Sequence, residues 1–360
     1  MERNNAQSDT EWRNQYDAAH SMLEDVKALA LYQQIVDRCD PAAPPTAHIF
    51  AHPEIARRAR RVCLLAGSFN PLTQAHVAVA EAARNAAHLD VIIWVLTKVT
   101  IDKERVARAS LPDRLGQLSA YIENAPQAGG NLLALLNRGL YVDQATAIRQ
   151  LLDANAHLCM LVGFDKIVQI LDPHYYSDRE AALRALFAQA KLLVAPRAGA
   201  GEAELEALLV RPENAPYRHH VKFIPMPPEY QDESSTEVRA LAARHDSASS
   251  KILSRLVTPE GLALIDTGAY VPVVTTGNVD IPDVDNITDA YLWRQTWIRA
   301  FARTRSPILL DNLPPLSTLV AYTVAPDKRG ATIRRRLARI ITAPPEQVRR
   351  LLRTLLAKIS

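Results

Sequence analysis

The chain lacks any uninterrupted apolar run near the roughly 18 residues needed to cross a bilayer, so no membrane partner is expected. Its first residues are polar, so no secretory signal is expected either. Neither a Gly-x-Gly-x-x-Gly turn nor a Gly-x-x-x-x-Gly-Lys-Ser/Thr loop occurs, which disfavours an ordinary dinucleotide-binding dehydrogenase and a P-loop ATPase. The whole chain has the composition of a globular protein, with 48% hydrophobic and 22% charged residues.

Cysteine is scarce as well: the 360 residues include three, and none belongs to a Cys-x-x-Cys pair. Cys63 and Cys159 lie inside apolar runs, where small buried residues are common. We interpret them as core thiols of a cytoplasmic protein, because a reducing compartment keeps such thiols free.

The net charge of +3 is unevenly distributed. Residues 328–360 contain ten Lys and Arg and one acid, a net +9, which leaves −6 for the rest of the chain. A basic tail can bind nucleic acid, or it can be the solvated face of amphipathic helices. The second interpretation is the simpler one, and a nucleic-acid partner stays open. The oligomeric state, including a homo-oligomer, also stays open.

Short apolar runs alternate with amphipathic stretches through the middle of the chain. Such runs are typical of parallel strands buried on both faces, and the stretches between them are typical of helices. The predicted strands are 62–66, 91–96, 132–136, 158–162, 192–195 and 221–224. The predicted helices are 75–88, 112–123, 142–155, 165–171, 178–190 and 235–245.

Both ends of the chain depart from this alternation. Apolar residues at helical spacing cover 11–38, and a Pro-rich stretch follows them. Near the other end, Trp293 and Trp297 mark an amphipathic helix, and we interpret both as core residues. We therefore predict an α/β fold, a Rossmann-like parallel sheet with helices on both faces and helical extensions at each end. The predicted segments are an N-terminal helical extension, 1–58, a Rossmann-like domain, 59–270, and a C-terminal extension or small domain, mostly helical and with the basic tail, 271–360.

The segment from Gly67 to His76, Gly-Ser-Phe-Asn-Pro-Leu-Thr-Gln-Ala-His, follows the first predicted strand and leads into a helix. A glycine at such a turn lets the backbone approach a ligand, and the free N–H groups of a helix start attract anions. Thr73 and His76 share one face of the first helical turn, where a hydroxyl and an imidazole can donate hydrogen bonds to phosphate. On spacing alone, a histidine that caps or packs is an open alternative.

A second polar segment, Ser-Ser-Thr-Glu-Val-Arg, follows the last predicted strand at 234–239. Ser234, three residues before Glu237, predicts a capping box at a helix start. The same start exposes N–H groups and hydroxyls, and Arg239 lies about one turn further along, with a planar fork suited to phosphate oxygens. A phosphate clamp and a plain helix cap are therefore both consistent with the segment.

A third segment, Gly163-Phe164-Asp165, follows the fourth predicted strand. Its aspartate could cap the next helix or contact a ligand.

The first segment resembles the signature of the nucleotidyltransferase α/β-phosphodiesterase superfamily, and is especially similar to the nicotinamide/nicotinate mononucleotide adenylyltransferases. Thr73 stands where many members have His, although eukaryotic-type members also use Thr, and Ala75 stands where Gly is commonest. Residues 234–239 resemble the family motif Ile-Ser-Ser-Thr-x-x-Arg, with Glu233 in place of the usual Ile. The resemblance covers roughly residues 60–270.

The resemblance implies the roles of individual residues. His76, assisted by Thr73, would act at the α-phosphate of ATP, and Arg239 would hold the β- and γ-phosphates. The other implied ATP or phosphate contacts are Gly67, Ser68, Phe69, Ser235, Thr236 and Lys98, with Lys103 as the alternative to Lys98. The implied nucleotide contacts are Gly163, Asp165 and Arg197.

Two further positions stay ambiguous. Arg114 matches an Arg at the start of a family helix and could equally be a solvated charge. Tyr175 and Tyr176 lie near the place where members often have a Trp, so the residue that stacks on the pyridine stays open.

The implied function is an adenylyltransferase of NAD biosynthesis. It would join nicotinate or nicotinamide mononucleotide to AMP from ATP and release pyrophosphate, so its partners are ATP and a pyridine mononucleotide. Mg²⁺ would bridge the phosphate oxygens largely through water, and no protein metal ligands are expected. One alternative keeps the fold with a pantetheine-phosphate or glycerol-phosphate substrate. Another is a non-catalytic nucleotide-sensing or nucleic-acid-associated protein that uses the basic tail.

Overall fold

The computed structural model describes residues 2–99, 109–125, 130–197, 199–231, 233–244, 246–270, 289–304 and 328–359. The chain folds as two compact units. We call them the helical unit, residues 1–38, 103–120 and 238–360, and the sheet unit, residues 39–102 and 121–237. These units do not coincide with the segments 1–58, 59–270 and 271–360, which stay a prediction about domain organisation.

The sheet unit contains a seven-stranded sheet in the order β1-β4-β3-β2-β5-β6-β7. All neighbouring strands are parallel except β1 and β4, which are antiparallel. The strands are β1 Ala47–Phe50, β2 Arg61–Ala66, β3 Val91–Thr97, β4 Asn131–Leu136, β5 His157–Gly163, β6 Lys191–Ala195 and β7 Val221–Phe223. After β2 the chain adds β3 and β4 on one side and β5 to β7 on the other, so the order switches between β2 and β5. Open sheets of this kind bind ligands at the carboxyl ends of the strands beside the switch.

Helices connect the successive strands of the sheet, as a Rossmann-like fold requires, and further helices precede β1 and follow β7. They are α1 Glu2–Glu24, α2 Val26–Arg38, α3 Pro53–Arg58, α4 Gln74–Ala87, α5 Leu111–Asn124, α6 Tyr141–Arg149, α7 Phe164–Leu171, α8 Arg179–Phe187, α9 Glu202–Leu209, α10 Ser235–Ala242, α11 Ser247–Leu256, α12 Pro259–Leu264, α13 Asp289–Thr304, α14 Lys328–Thr342 and α15 Pro345–Ile359. Among the described residues, every helix falls short of the length and apolarity that a membrane span requires.

The six predicted strands and the helices between them are confirmed. Successive residues of β2, Cys63 and Leu64, are both fully buried, as strands covered on both faces require. Cys63 and Cys159 lie in register across β2 and β5 as free, buried thiols, which confirms their prediction as core residues.

Three predicted helices extend too far, by six residues at 142–155 and by three each at 178–190 and 235–245, and one strand is not predicted at all. The helix predicted at 142–155 ends at Arg149, since the Asp153 carboxylate accepts the Asn155 N–H in a turn that competes with helix. Strand β1 is short and follows a Pro-rich loop. The side chain of Asn137 holds this loop in place. Its amide nitrogen donates to the carbonyls of Asp40, Ala43 and Pro44. Its amide oxygen accepts the Thr46 N–H.

The helical unit has its own core. Trp293 and Trp297 of α13 are buried in it, which confirms their prediction as core residues. Arg114 is 7% exposed, so its interpretation as a solvated charge is wrong. The apolar residues of α14 and α15 join the same core. Arginines of these two helices that are exposed are Arg335, Arg339, Arg350 and Arg353. This arrangement fits the solvated-face interpretation of the basic tail, and a nucleic-acid partner stays a prediction.

A buried polar contact fixes Trp94 in the middle of the sheet unit. The indole Nε1 donates to the Asn131 side-chain oxygen at 3.1 Å, and the same oxygen accepts from the Arg84 guanidinium at 2.8 Å. All three residues are buried. One amide oxygen therefore satisfies two buried donors.

We expect Asn131→Leu to lower the free energy of unfolding by about 2–4 kcal/mol, because it leaves two donors without an acceptor in the core. Asn131→Asp keeps the acceptor and is the matched control, with a smaller loss. Urea denaturation of the three proteins measures both. Equal losses for the two variants would contradict the role given to this oxygen.

Candidate active site

The turn after β2 places an aromatic ring over a glycine. The Gly67 N–H donates to the Val95 carbonyl at 3.2 Å, and a Cβ atom added at Gly67 would lie 2.9 Å from the Phe69 ring. Phe69 has a φ of 43°, a left-handed conformation that costs a non-glycine residue about 1 kcal/mol or more. Its fully buried ring offsets this cost by packing against Trp94 at 5.4 Å between ring centroids. Glycine is therefore required at position 67 by this ring.

His76 lies in the first turn of α4 and is held by Thr73. The Thr73 N–H donates to His76 Nδ1 at 3.1 Å, and Thr73 Oγ1 lies 2.7 Å from the same nitrogen. Because a backbone N–H can only donate, Nδ1 carries no proton, and the neutral ring keeps its proton on Nε2. Nε2 has no hydrogen-bond partner among the described residues, so it is a donor available to a ligand.

The electrostatic surroundings keep the His76 ring neutral. Burial, together with the positive charge of Arg197, lowers the pKa of His76 from 6.5 to about 4. Phe69 contributes to this enclosure, since its ring meets the imidazole edge-on at 5.1 Å. At neutral pH the group is therefore a neutral N–H donor beside a fixed positive charge.

Two further strand ends supply polar groups. Gly163 ends β5, and an added Cβ atom there would lie 2.7 Å from the Asp165 carboxylate, so glycine makes room for that carboxylate. Asp165 pairs with Arg197, which follows β6, at 3.7 Å. Both side chains are about half exposed, so the pair itself contributes little stability.

The carboxyl ends of adjacent strands bring most of the predicted residues to one edge of the sheet. Lys98 follows β3, the Gly67–His76 segment follows β2, Gly163 ends β5 and Arg197 follows β6, and these four strands are neighbours. The edge therefore carries the predicted residues Gly67, Ser68, Phe69, Thr73, His76, Lys98, Gly163, Asp165 and Arg197. Lys103 lies outside the described residues.

The second predicted motif forms the start of α10. Ser234 Oγ accepts the Glu237 N–H at 3.1 Å, so the predicted helix cap is present. Ser235 and Thr236 belong to the sheet unit, and Arg239 lies about one turn further along, in the part of α10 that belongs to the helical unit. The role of Arg239 opposite His76 stays a prediction.

Glu233 is a site residue that the motif comparison does not identify. Burial and the negative charge of Glu237 raise the pKa of its carboxyl, and the nearby backbone N–H of Ala75, in the first turn of α4, offsets part of that rise. A carboxylate thus lies close to one of the N–H groups that the sequence assigns to phosphate. The signal in the sequence that could have identified Glu233 is an acidic residue at the position where the motif usually has Ile.

Metal-binding side chains are not grouped in the described part of the chain. No cluster of three or more His, Cys, Asp and Glu that could hold an ion occurs there. The Asp165 carboxylate at this edge is engaged with Arg197 and lies 3.9 Å from the Lys166 ammonium.

We expect Arg197→Gln to raise the pKa of His76 while leaving it below 6.5, because it removes the second cause of the shift and keeps burial. Since folding lowers this pKa, the neutral ring contributes stability that is present above pH 6.5 and is lost as the pH falls towards 4. NMR titration of the histidine signals measures the shift. Arg218→Gln, at an arginine paired with Glu206 on the surface, is the control. An unshifted His76 in the parent protein, or equal rises in both variants, would contradict the assignment.

Comparison with known proteins identifies relatives of the chain. A model of the cytidylyltransferase-like family matches residues 64–241. A probable nicotinate-nucleotide adenylyltransferase of Gloeobacter violaceus is 30% identical over 182 residues, which cover 50% of this chain and 82% of the relative. A second one, from Methylibium petroleiphilum, is 28% identical over 194 residues, which cover 54% of this chain and 84% of the relative.

A solved structure is more distant. That of Plasmodium falciparum nicotinic acid mononucleotide adenylyltransferase complexed with NaAD has a TM-score of 0.43 at 17% identity, with coverage of 59% of this chain and 97% of that one. The sequence relatives carry the assignment by themselves, since the match extends over most of their length. The chain belongs to the nicotinate-nucleotide adenylyltransferase family.

Proposed function

We propose that the chain transfers the AMP part of ATP to a pyridine mononucleotide and releases pyrophosphate. The observation that carries this proposal is the His76 ring, which is neutral, oriented through Nδ1 by Thr73 and left with its Nε2–H as a donor. A donor of this kind suits the charge that builds on phosphate oxygens during the transfer. Family membership supports the same reaction and favours nicotinate mononucleotide as the acceptor.

The transfer needs alignment more than acid–base chemistry. The phosphate of the mononucleotide attacks the α-phosphorus of ATP in line with the departing pyrophosphate, and no covalent enzyme intermediate forms. His76 donates to an α-phosphate oxygen, and Arg197, whose charge acts on the same ring, adds to the positive potential there. The Thr73 hydroxyl acts mainly by holding the imidazole, since it lies 2.7 Å from Nδ1.

The remaining predicted contacts complete the proposal. Ser235, Thr236 and Arg239 hold the β- and γ-phosphates from the start of α10, where N–H groups, hydroxyls and a guanidinium follow one another along one helix. Lys98, after β3, adds a further phosphate contact. Mg²⁺ enters with ATP as part of the substrate and offsets phosphate charge.

The proposed compartment is the cytoplasm. Cys63 and Cys159 are neighbours across two strands and are both free, which is consistent with a reducing environment.

We expect pyrophosphate release from ATP and Mg²⁺ in the presence of nicotinate mononucleotide, with slower release for nicotinamide mononucleotide. The controls replace ATP with CTP, or replace the mononucleotide with phosphopantetheine or glycerol 3-phosphate. A coupled pyrophosphate assay with chromatography of the dinucleotide product measures all arms. The proposal is wrong if neither mononucleotide supports release.

We expect His76→Ala to lower kcat by about 100-fold or more, because it removes the only side-chain donor assigned to the α-phosphate. His157→Ala is the matched control: His157 is exposed and begins β5, at the opposite edge of the sheet. Circular dichroism checks that both variants fold, and the pyrophosphate assay gives kcat. Near-normal turnover of folded His76→Ala would remove His76 from the mechanism.

A further inference from the structure

The amino ends of the strands, at the edge of the sheet opposite the candidate active site, present a group of cations. Arg60 immediately precedes β2, Arg61 begins it, Lys191 begins β6 and Lys222 is the second residue of β7. All four residues are exposed. Strands β2, β5, β6 and β7 are parallel neighbours, so their amino ends form one edge about 15 Å wide, at about 4.8 Å per strand. We call these four cations, together with His219 just before β7, the basic edge.

The positive charge of this edge is a local feature. The sheet unit as a whole contains 16 Lys and Arg against 20 Asp and Glu, a net charge of −4, so a generally basic composition does not account for it. The dipole of α4 accounts for Lys222, whose Nζ donates to the Ala86 carbonyl in the last turn of that helix at 3.0 Å.

The other three cations have no structural partner of this kind. Within the described part of the chain, the side chains of Arg60, Arg61 and Lys191 take part in no hydrogen bond and no ion pair. Asp90 Oδ2 accepts the backbone N–H groups of Arg60 and Arg61, each at 2.8 Å, and so fixes the main chain from which both guanidinium groups extend. Their side chains are therefore anchored at the backbone and available to an external anion.

A row of stacked rings reaches the surface at the same edge. The Phe187 ring stacks on Tyr217 and on His220, each at 5.1 Å between ring centroids, and the His220 ring lies 3.9 Å from that of His219. Phe187 and Tyr217 are buried, whereas His219 is exposed, so the row runs from the core to the surface. Burial, together with the positive charges of His219 and Lys191, lowers the pKa of His220. The surface end of the row is thus a ring supported from behind and flanked by a cation.

We propose that the basic edge binds single-stranded nucleic acid, with phosphates on Arg60, Arg61 and Lys191 and a base stacked on His219. One strand of a duplex carries a phosphate about every 3.4 Å of axis, so an edge about 15 Å wide meets several phosphates. Every base has a π face, so stacking on the histidine requires no particular sequence. The inference goes beyond the proposed function and does not depend on it, because the reaction is assigned to the opposite edge of the sheet.

Two other polyanions suit the basic edge less well. An anionic membrane is bound by cations that have apolar anchors beside them. In the described part of the chain, the exposed large apolar residues all lie outside the starts of β2, β6 and β7; they are Leu31, Val99, Val168, Val210 and Ile252. An acidic protein segment would use the charges and leave the exposed ring without a role.

The test compares two triple variants of the full chain with the parent protein. The edge variant carries Arg60→Gln, Arg61→Gln and Lys191→Gln. The matched control removes the same charge from exposed positions of the basic tail, through Arg339→Gln, Arg350→Gln and Arg353→Gln. Fluorescence anisotropy measures the binding of labelled single-stranded RNA and DNA of about 15 nucleotides over a range of salt concentrations.

Three further titrations identify the site and the partner. The first repeats the measurement with saturating ATP and Mg²⁺ at matched ionic strength, the second uses a duplex of the same length, and the third uses vesicles of phosphatidylcholine and phosphatidylserine. Circular dichroism and thermal unfolding check that both triple variants fold like the parent.

We expect the parent to bind single-stranded RNA, DNA or both with a Kd on the order of 1–100 µM at low salt. The edge variant should bind at least about tenfold more weakly. Its slope of log K against log salt should be smaller by about 2, because three phosphate contacts at about 0.7 each are lost. The tail control should stay within about twofold of the parent, and ATP should leave the binding unchanged.

Several outcomes would overturn the proposal. They are no binding by the parent, equal losses in the two triple variants, and release of the oligonucleotide by ATP, which would place it in the candidate active site. Vesicle binding that the edge variant loses, in a protein that binds no oligonucleotide, would make a membrane the partner instead.

A pair of substitutions at one position tests the stacked base. His219→Ala should weaken single-strand binding about fivefold or more, whereas His219→Phe should keep it, because phenylalanine retains a flat face for the base. The parent should also prefer the single strand to the duplex, whose bases are already stacked on each other. Equal losses in the two His219 variants, or equal affinity for duplex and single strand, would contradict recognition of a single strand.

Discussion

The hydrogen bond from the Thr73 N–H to His76 Nδ1 is the interaction on which the rest of the site depends. It fixes the proton of the neutral ring on Nε2, and it does so with a backbone group that cannot exchange roles. The contact requires Thr73 at the N-cap of α4 and His76 three residues later, so it exists only when the helix begins at Gln74. The chain reaches that start through a buried turn whose Phe69 ring covers Gly67. The sequence of this segment, the geometry of the turn after β2 and the tautomer of His76 therefore depend on one another.

Burial then determines what this ring can do. An exposed imidazole would be partly charged near neutral pH, whereas the enclosure by protein and the Arg197 charge keep His76 neutral. A neutral N–H donor next to a cation can stabilise the charge that develops on a phosphate oxygen. The ring is also held from behind, because Phe69, Trp94 and Tyr121 follow one another away from it. The sheet supplies Trp94 and the helix α5 supplies Tyr121, so the layers of the fold meet behind a single side chain.

The alternation of apolar runs predicts six of the seven strands, because parallel strands buried on both faces leave continuous apolar segments. Strand β1 could not be predicted, because four residues are too few to show a period. Its position at the edge of the sheet also depends on the side-chain amide of Asn137, which is distant in sequence. The motifs likewise predict Gly67, Thr73 and His76 together, because these residues lie within one turn and one helix start. The buried hydrogen bonds that Asp113 accepts could not be predicted: an acid in the first turn of α5 looks like a partner for the helix dipole, and its donors Tyr291 and Arg294 lie 178 and 181 residues away.

Glu233 shows why a motif match alone does not describe the electrostatics of the site. The resemblance implies phosphate oxygens at the start of α4, yet in this chain the Glu233 carboxyl group lies near the Ala75 N–H there. Two anions at one helix start repel each other, and burial together with the negative charge of Glu237 raises the pKa of Glu233. Arg197 carries the opposite charge, and together with burial it lowers the pKa of His76 at the same helix start. The electrostatics of this edge therefore depend on a guanidinium and a carboxyl group together, and the Ile of the usual motif would remove the second of them.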